Sequence, residues 1–437
     1  MSVTAARLGH SPLLVDWSHL VLGHTSSHDG SEFDRTWKAL KSRFGSKEVG
    51  FYDSLFENEI SQASESEALA GEILAQGKFS DCLFLGIGGS ALGPISLLSA
   101  LKEKCVTSLR FHFIENPDPQ DWKQTLKSLS PESTLVCAVT KSGTTFETVA
   151  QLLLALDWLG KERWKSHLVA LTDPEKGDLR KFSNENGIKN LSIHPSLGGR
   201  FSIFSPVGLF PAALAGLSTK DFLLGASQIR DAMEKIPSHK NPLFIISEAL
   251  IDHYSKRPIH VCMPYSTRLR LFGSWFVQLW GESLGKDGRG FTPISALGAT
   301  DQHSILQLLR DGPDDKITWF MSIDQTSDPV SIPQISKKHS LKQLYPAFSL
   351  LEGHSLHELM TVEYHAISKV LTRKEKPHLH FQLDCLDEKS MGALYFAFSV
   401  LTAFTGTLWG VNPFDQPGVE EGKIYIKQSL EEKRSLA

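Results

Sequence analysis

From Asp81 onward, short apolar runs that end in glycine or hydroxyl residues alternate with stretches of helical periodicity, and this alternation limits the folds open to the chain. Cys82 to Leu85 is followed by a helical pattern reaching about Lys104. Arg110 to Ile114 and Thr134 to Val139 come next, then a helix from about Thr145 to Leu159 and a further run at His167 to Leu171. Strands separated by helices can neighbour one another only through crossover connections, which make a parallel sheet. The alternation restarts after a helical stretch near Lys220 to Glu234. A helix around Pro242 to Tyr254, a strand at Ile259 to Met263, a helix from about Arg268 to Trp280, and strands at Ile317 to Met321 and His378 to Gln382 follow. The expected fold is α/β: two doubly wound parallel-sheet units in tandem, a helical N-terminal extension and a C-terminal helix. The corresponding boundaries are 1–65, 66–235, 236–412 and 413–437.

The 437 residues, 41% hydrophobic, are enough for two or three domains with substantial cores. A net charge of −4, from 45 basic and 49 acidic residues, supplies no broad field to hold nucleic acid or an anionic membrane, so neither is expected as a partner. Five dispersed cysteines in mostly apolar runs read as buried thiols in a reducing compartment. With Asp16 interrupting the only apolar run near the N-terminus, cytoplasmic residence is the expectation. Gly392 to Val411 runs twenty residues without a charge, long enough to cross a bilayer. Its three glycines and its hydroxyls, in an otherwise hydrophilic chain, suit a helix buried inside the protein better.

Two loops have the chemistry of anion sites. Gly86-Ile87-Gly88-Gly89-Ser90 follows the first strand and opens a helix, so backbone N–H groups can face a ligand. Alone, with Glu115 after the next strand, it also fits a dinucleotide site. Thr140-Lys141-Ser142-Gly143-Thr144-Thr145 shifts the balance: four hydroxyls, a lysine and a glycine form a cradle for a dianion that a dinucleotide fold has no use for. Ser90, Thr140, Ser142 and Thr145 would share one phosphate.

Further along, Gly198-Gly199-Arg200 lets a guanidinium approach a ligand unobstructed, and its permanent charge suits a developing oxyanion. Gln278 and Glu282 lie four apart, on one helix face, amid Phe272, Trp275, Phe276, Leu279 and Trp280. A carboxylate at the edge of such apolar surroundings is expected to lose hydration and rise in pKa towards the working range of a general base. His303 stands near a helix start and Lys423 on a C-terminal helix. His354, His357 and Glu358 lack the spacing of a zinc site, and no metal is expected.

In order and wording these motifs resemble the phosphoglucose isomerase family from about Gly86 to Lys423. The Gly86 loop, the Ser/Thr loop with Glu147, Gly198 to Ser202, Glu282-Ser283-Leu284-Gly285-Lys286, Gln302-His303 and Asp415 to Lys423 all occur in family order. The resemblance implies an aldose–ketose isomerase that interconverts glucose 6-phosphate and fructose 6-phosphate in glycolysis and gluconeogenesis, without a cofactor. It further implies that Glu282 moves the proton between C2 and C1 through a cis-enediol and that Arg200 steadies the negative charge. Gly89, Ser90, Thr140, Lys141, Ser142, Thr145, Gly199, Gln278 and Gln416 would bind the substrate. His303 and Lys423 would open the ring, the histidine reaching across from a second subunit of a homodimer. Two other readings compete: an NAD-dependent oxidoreductase using the Gly86 loop, and a catalytically silent sugar-phosphate sensor.

Overall fold

The computed structural model of the chain describes residues 4–21, 30–46, 49–52, 59–340 and 345–436. Two sheets form. The strands are β1 (Ala5–Arg7), β2 (Leu13–Asp16), β3 (Asp81–Leu85), β4 (Arg110–Ile114), β5 (Thr134–Val139), β6 (Leu168–Thr172), β7 (Lys189–Ser192), β8 (Ile259–Pro264), β9 (Thr292–Ser295), β10 (Lys316–Ile323) and β11 (His378–Leu383). One sheet has the order β4-β3-β5-β6-β7, parallel throughout. The other runs β1-β2-β11-β10-β8-β9, and its core of β11, β10, β8 and β9 is parallel. β3, β5 and β6 are buried along their whole length, as strands covered on both faces must be. The α/β expectation of two parallel-sheet units is met.

The N-terminal region departs from its helical expectation. Helices Gly30–Gly45 and Glu59–Ala75 are present, but β1 and β2 pair with each other, and β2 runs antiparallel along β11. The cause is legible locally: Leu13 and Val15 are buried while Leu14 and Asp16 are half-exposed, a period of two rather than 3.6. Residues 1–3, 22–29, 47–48 and 53–58 of the same expectation lie outside the described residues.

At the centre lies the helix Glu388–Leu408, whose residues Ser390 to Gly406 are all buried. It is long and apolar enough to cross a membrane, yet it is enclosed within the protein. Helix Thr219–Lys235 crosses it at two glycines: a Cβ on Gly225 would lie 1.9 Å from the Lys389 carbonyl oxygen, and one on Gly392 would lie 1.8 Å from that of Phe222. Phe204, Phe222, Phe272 and Trp275 pack against Tyr395, Phe396 and Phe398 of the same helix in one continuous core.

Candidate active site

β3 and β5 are parallel neighbours with Leu85 opposite Ala138, so the loops that follow them emerge side by side at the carboxyl edge of the sheet. After β3 the chain takes a left-handed step at Gly88 (φ +57°) and a short 3₁₀ turn, Gly88–Ser90. A Cβ on Gly89 would sit 2.2 Å from the carbonyl carbon of Gly199 and 2.7 Å from the Arg200 nitrogen, so only glycine lets these two backbones touch. Ser202 Oγ bridges them, donating to the carbonyl oxygens of Gly89 at 3.1 Å and Gly199 at 2.7 Å. The space a dinucleotide's pyrophosphate would need beside Gly89 is thus taken by the protein's own chain. Ser90's hydroxyl has no hydrogen-bond partner among the described residues.

After β5, Thr140, Ser142 and Thr145 turn their hydroxyls towards one another. Thr140 Oγ1 and Thr145 Oγ1 are 2.8 Å apart, and Ser142 Oγ lies 3.4 Å from each. Thr145 is the N-cap of helix Phe146–Leu159, yet its hydroxyl makes no capping bond. The cluster is therefore not explained by capping. Lys141 does not join it: its ammonium donates to the carbonyls of Pro195 and Leu197, at 3.0 and 2.9 Å, and ties the loop to the segment leading to Arg200. Burial lowers its pKa, with Asp173 acting in the opposite direction.

Arg200 is 1% exposed and each of its five N–H groups meets an acceptor. Nε donates to Ser283 Oγ at 2.7 Å. Nη1 donates to Glu282 Oε1 at 2.9 Å and Gln416 Oε1 at 3.0 Å, and Nη2 to the carbonyls of Pro413 at 2.7 Å and Asp415 at 2.9 Å. Burial pulls the guanidinium pKa down, while the carboxylates of Glu282 and Asp415 push it up; the group stays charged.

Helix Arg270–Leu284 supplies the other half. Its aromatic residues face the core, where Trp280 Nε1 donates to His260 Nδ1. Glu282 looks the other way, its Oε1 on Arg200 and its Oε2 accepting from Gln278 Nε2 at 3.0 Å, with a quarter of the side chain exposed. The apolar surroundings expected for this carboxylate are therefore corrected: Phe272, Trp275, Phe276, Leu279 and Trp280 are on the buried face, and the acid faces a cation and an amide. Gln278 Nε2 also meets the Gly88 loop, 3.0 Å from where a Cβ there would stand.

The fold thus gathers Gly89, Gly199, Arg200, Gln278, Glu282 and Gln416 at one point, with Ser90 and the hydroxyl cluster of Thr140, Ser142 and Thr145 on the adjoining loops. It does not bring His303 or Lys423 there within one chain. His303 is exposed on helix Gln302–Asp311, and Lys423 is exposed on helix Pro417–Leu436, paired with Glu420 at 2.7 Å. No group of three or more metal-ligating side chains occurs among the described residues; His354 pairs with Glu358, and His357 with the Asp324 carbonyl.

Two side chains that sequence reasoning passed over organise the site. Ser283 accepts from Arg200 Nε. Lys286, nearly buried, holds the carbonyls of Ser283 and Asn412 and the Asp415 carboxylate, so it fixes the turn whose carbonyls hold Arg200. Both lie inside the Glu282 to Lys286 motif. Their residue types were visible, but not the distant turn they serve.

Comparison with known proteins places the chain in a family. The family model described as phosphoglucose isomerase matches residues 58–436. The chain is 40% identical over 355 residues, 79% of its own length and 81% of the relative's, to a glucose-6-phosphate isomerase of Rubrobacter xylanophilus. It is 35% identical over 431 residues, 92% and 90% of the two chains, to one of Carboxydothermus hydrogenoformans. Its structure is similar to that of a Thermus thermophilus protein described only as hypothetical, with a TM-score of 0.87 and 35% identity, covering 96% and 99% of the chains. It shares a fold with a Chlamydia trachomatis glucose-6-phosphate isomerase, TM-score 0.78 at 21% identity, over 99% and 90% of the chains. With a matching family model across most of its length and relatives this similar, the chain belongs to the phosphoglucose isomerase family.

Proposed function

We propose that the chain interconverts glucose 6-phosphate and fructose 6-phosphate by moving a proton between C2 and C1 of the open-chain sugar, with Glu282 as the base. The observation that carries the reading is the Glu282 carboxylate, partly exposed and held by Arg200 and Gln278 beside the glycine loop. A proton α to a carbonyl is removed when one base reaches both carbons from the same face and a fixed positive charge accepts the electron density left behind. Glu282 takes the proton from C2, the enediolate oxygen draws on the Arg200 guanidinium, and the same carboxyl returns the proton to C1. Proton and electron pair both stay within sugar and protein, so the cycle closes without an electron acceptor.

The substrate phosphate lies on Ser90, Thr140, Ser142 and Thr145, whose hydroxyls can turn outward to a dianion. Gly89 and Gly199 let the glycine loop close on the backbone leading to Arg200, Lys141 holds the phosphate loop in place, and Gln278 and Gln416 position the sugar hydroxyls. Ring opening needs a proton moved between the ring oxygen and the anomeric hydroxyl, the work assigned to His303 and Lys423. Both stand at exposed positions, which fits a site completed by a second copy of the chain.

The test is turnover of fructose 6-phosphate in deuterium oxide with no nucleotide added. The expected result is glucose 6-phosphate that carries deuterium at C2 after prolonged equilibration. Turnover that requires NAD would return the oxidoreductase reading, and binding of 6-phosphogluconate without turnover would leave the silent sensor.

A further inference from the structure

The two sheets repeat one strand order. β4-β3-β5-β6 in the first corresponds to β9-β8-β10-β11 in the second, and in each the chain goes first to one side of its leading strand and then to the other. The direction therefore reverses between β3 and β5, and again between β8 and β10. In open parallel sheets a crevice forms beyond the carboxyl ends of the strands at such a reversal. In the first sheet that crevice is where the Gly86 and Thr140 loops meet.

In the second sheet the equivalent place is lined by Tyr265 to Arg268, after β8, and by Thr326 to Val330, beyond β10. Between them is a cavity of about 440 Å³, within the range of small-molecule pockets. Ser266, Thr267, Thr326 and Ser327 line it with hydroxyls that have no hydrogen-bond partner among the described residues. Val330, Leu356 and Met360 supply an apolar wall.

Charge decides what such a cavity takes. Its single arginine, Arg268, is already paired with Glu103 at 2.9 Å, and Asp328 adds a second carboxylate. His357 is engaged with the Asp324 carbonyl at 2.9 Å. A phosphate would meet two acids and no unpaired lysine or arginine. An uncharged sugar matches both halves of the lining: its hydroxyls exchange hydrogen bonds with the four side-chain hydroxyls, and its C–H face lies on the apolar wall. We propose that this cavity is a second binding site, specific for an unphosphorylated sugar or polyol.

The probe is methyl α-D-glucopyranoside, which carries no phosphate and cannot open its ring. Saturation-transfer NMR on the full chain, with 6-phosphogluconate present in excess to fill the proposed active site, is expected to show transfer to the glycoside. Ser327→Trp and Thr267→Tyr, both at exposed positions on the cavity rim, are expected to abolish the transfer while isomerase turnover stays at the unmodified level. The proposal is overturned if the glycoside shows no transfer, if 6-phosphogluconate displaces it, or if both variants retain it. Because the readout is made with the first site filled, failure here leaves the isomerase reading standing, and loss of isomerase activity leaves this one.

Discussion

Arg200 is a buried cation, and its stability rests on having an acceptor for every N–H. Glu282 is one of these acceptors, so the residue that would move the proton also helps to neutralise the arginine. Glu282→Gln keeps the shape and removes the base. Turnover should fall by ~10²–10⁴-fold with sugar-phosphate affinity largely kept, read in a coupled fructose 6-phosphate assay; near-normal turnover would remove Glu282 from its role. At the other loop, Ser142→Ala combined with Thr145→Val deletes two hydroxyls of the cradle. Each charge-assisted hydrogen bond is worth roughly 1.5–3 kcal/mol, so KM should rise at least about tenfold with little change in kcat. An unchanged KM would put the phosphate elsewhere. The sequence singled out these residues by type and by the family wording around them. It did not show their partners: the aromatic neighbours of Glu282 along the helix suggested an apolar setting, whereas its contacts come from Arg200, 82 positions earlier. Lys141 shows the same limit, since a lysine in a hydroxyl-rich loop suggests a ligand and here serves two carbonyls.

Among the elements, the crossing of helices Thr219–Lys235 and Glu388–Leu408 is fixed by Gly225 and Gly392, each closing on a carbonyl of the other helix. Gly392→Ala forces these helices apart. The cost is expected near the upper end of overpacking, roughly 3 kcal/mol, seen as a lower midpoint in denaturant with m unchanged. A midpoint within error of the unmodified chain would mean that the helices separate freely. β11 carries a second vulnerability. His378 and His380 are buried on it, Nε2 of the first 2.9 Å from Ser368 Oγ and Nε2 of the second 2.8 Å from Ser322 Oγ. Burial lowers their pKa to about 4 and about 3, in each case against a raising influence of Asp16. The unfolded chain takes up these protons near pH 6.5 while the folded chain does not, so the stability contributed is complete above pH 6.5 and is lost as pH falls towards 4. For His378 the loss is on the order of 3 kcal/mol. Urea titrations from about pH 7.5 to about 4.5 should show it, and His380→Gln should flatten the slope. Seven of the nine parallel strands were legible as short apolar or alternating runs, and the buried helix as twenty uncharged residues; the edge strands β7 and β9, with the polar sequences Lys189 to Ser192 and Thr292 to Ser295, were not. β1 and β2 were not, because three- and four-residue strands contain too little alternation to outweigh the polar residues around them.

For the molecule as a whole, the C-terminal helix stands without a covering surface in the single chain. Helix Pro417–Leu436 is exposed along its described length, and Val419, Ile424, Tyr425, Ile426 and Leu430 are each between 43% and 60% accessible. Apolar exposure of this extent is characteristic of an interface. With His303 and Lys423 both standing clear of the Arg200 cluster, the homodimer reading yields a sharp experiment. His303→Ala and Glu282→Gln chains, each inactive alone, are mixed after dissociation. If the histidine acts across the interface, each mixed dimer recovers one complete site, and about a quarter of the unmodified activity should return; no recovery would place His303 in its own subunit's site. The tandem architecture was evident from the restart of the strand–helix alternation after Lys220 to Glu234, but the repeated strand order, and with it the cavity at the second reversal, needed the folded chain.

Gln416 immediately precedes that helix, and its side-chain oxygen rests on Arg200. Whatever seats the helix therefore pulls on the arginine through a single peptide link. If a second copy of the chain seats it, association and readiness for chemistry become one event, and activity per chain is then expected to fade on dilution before the fold itself is lost.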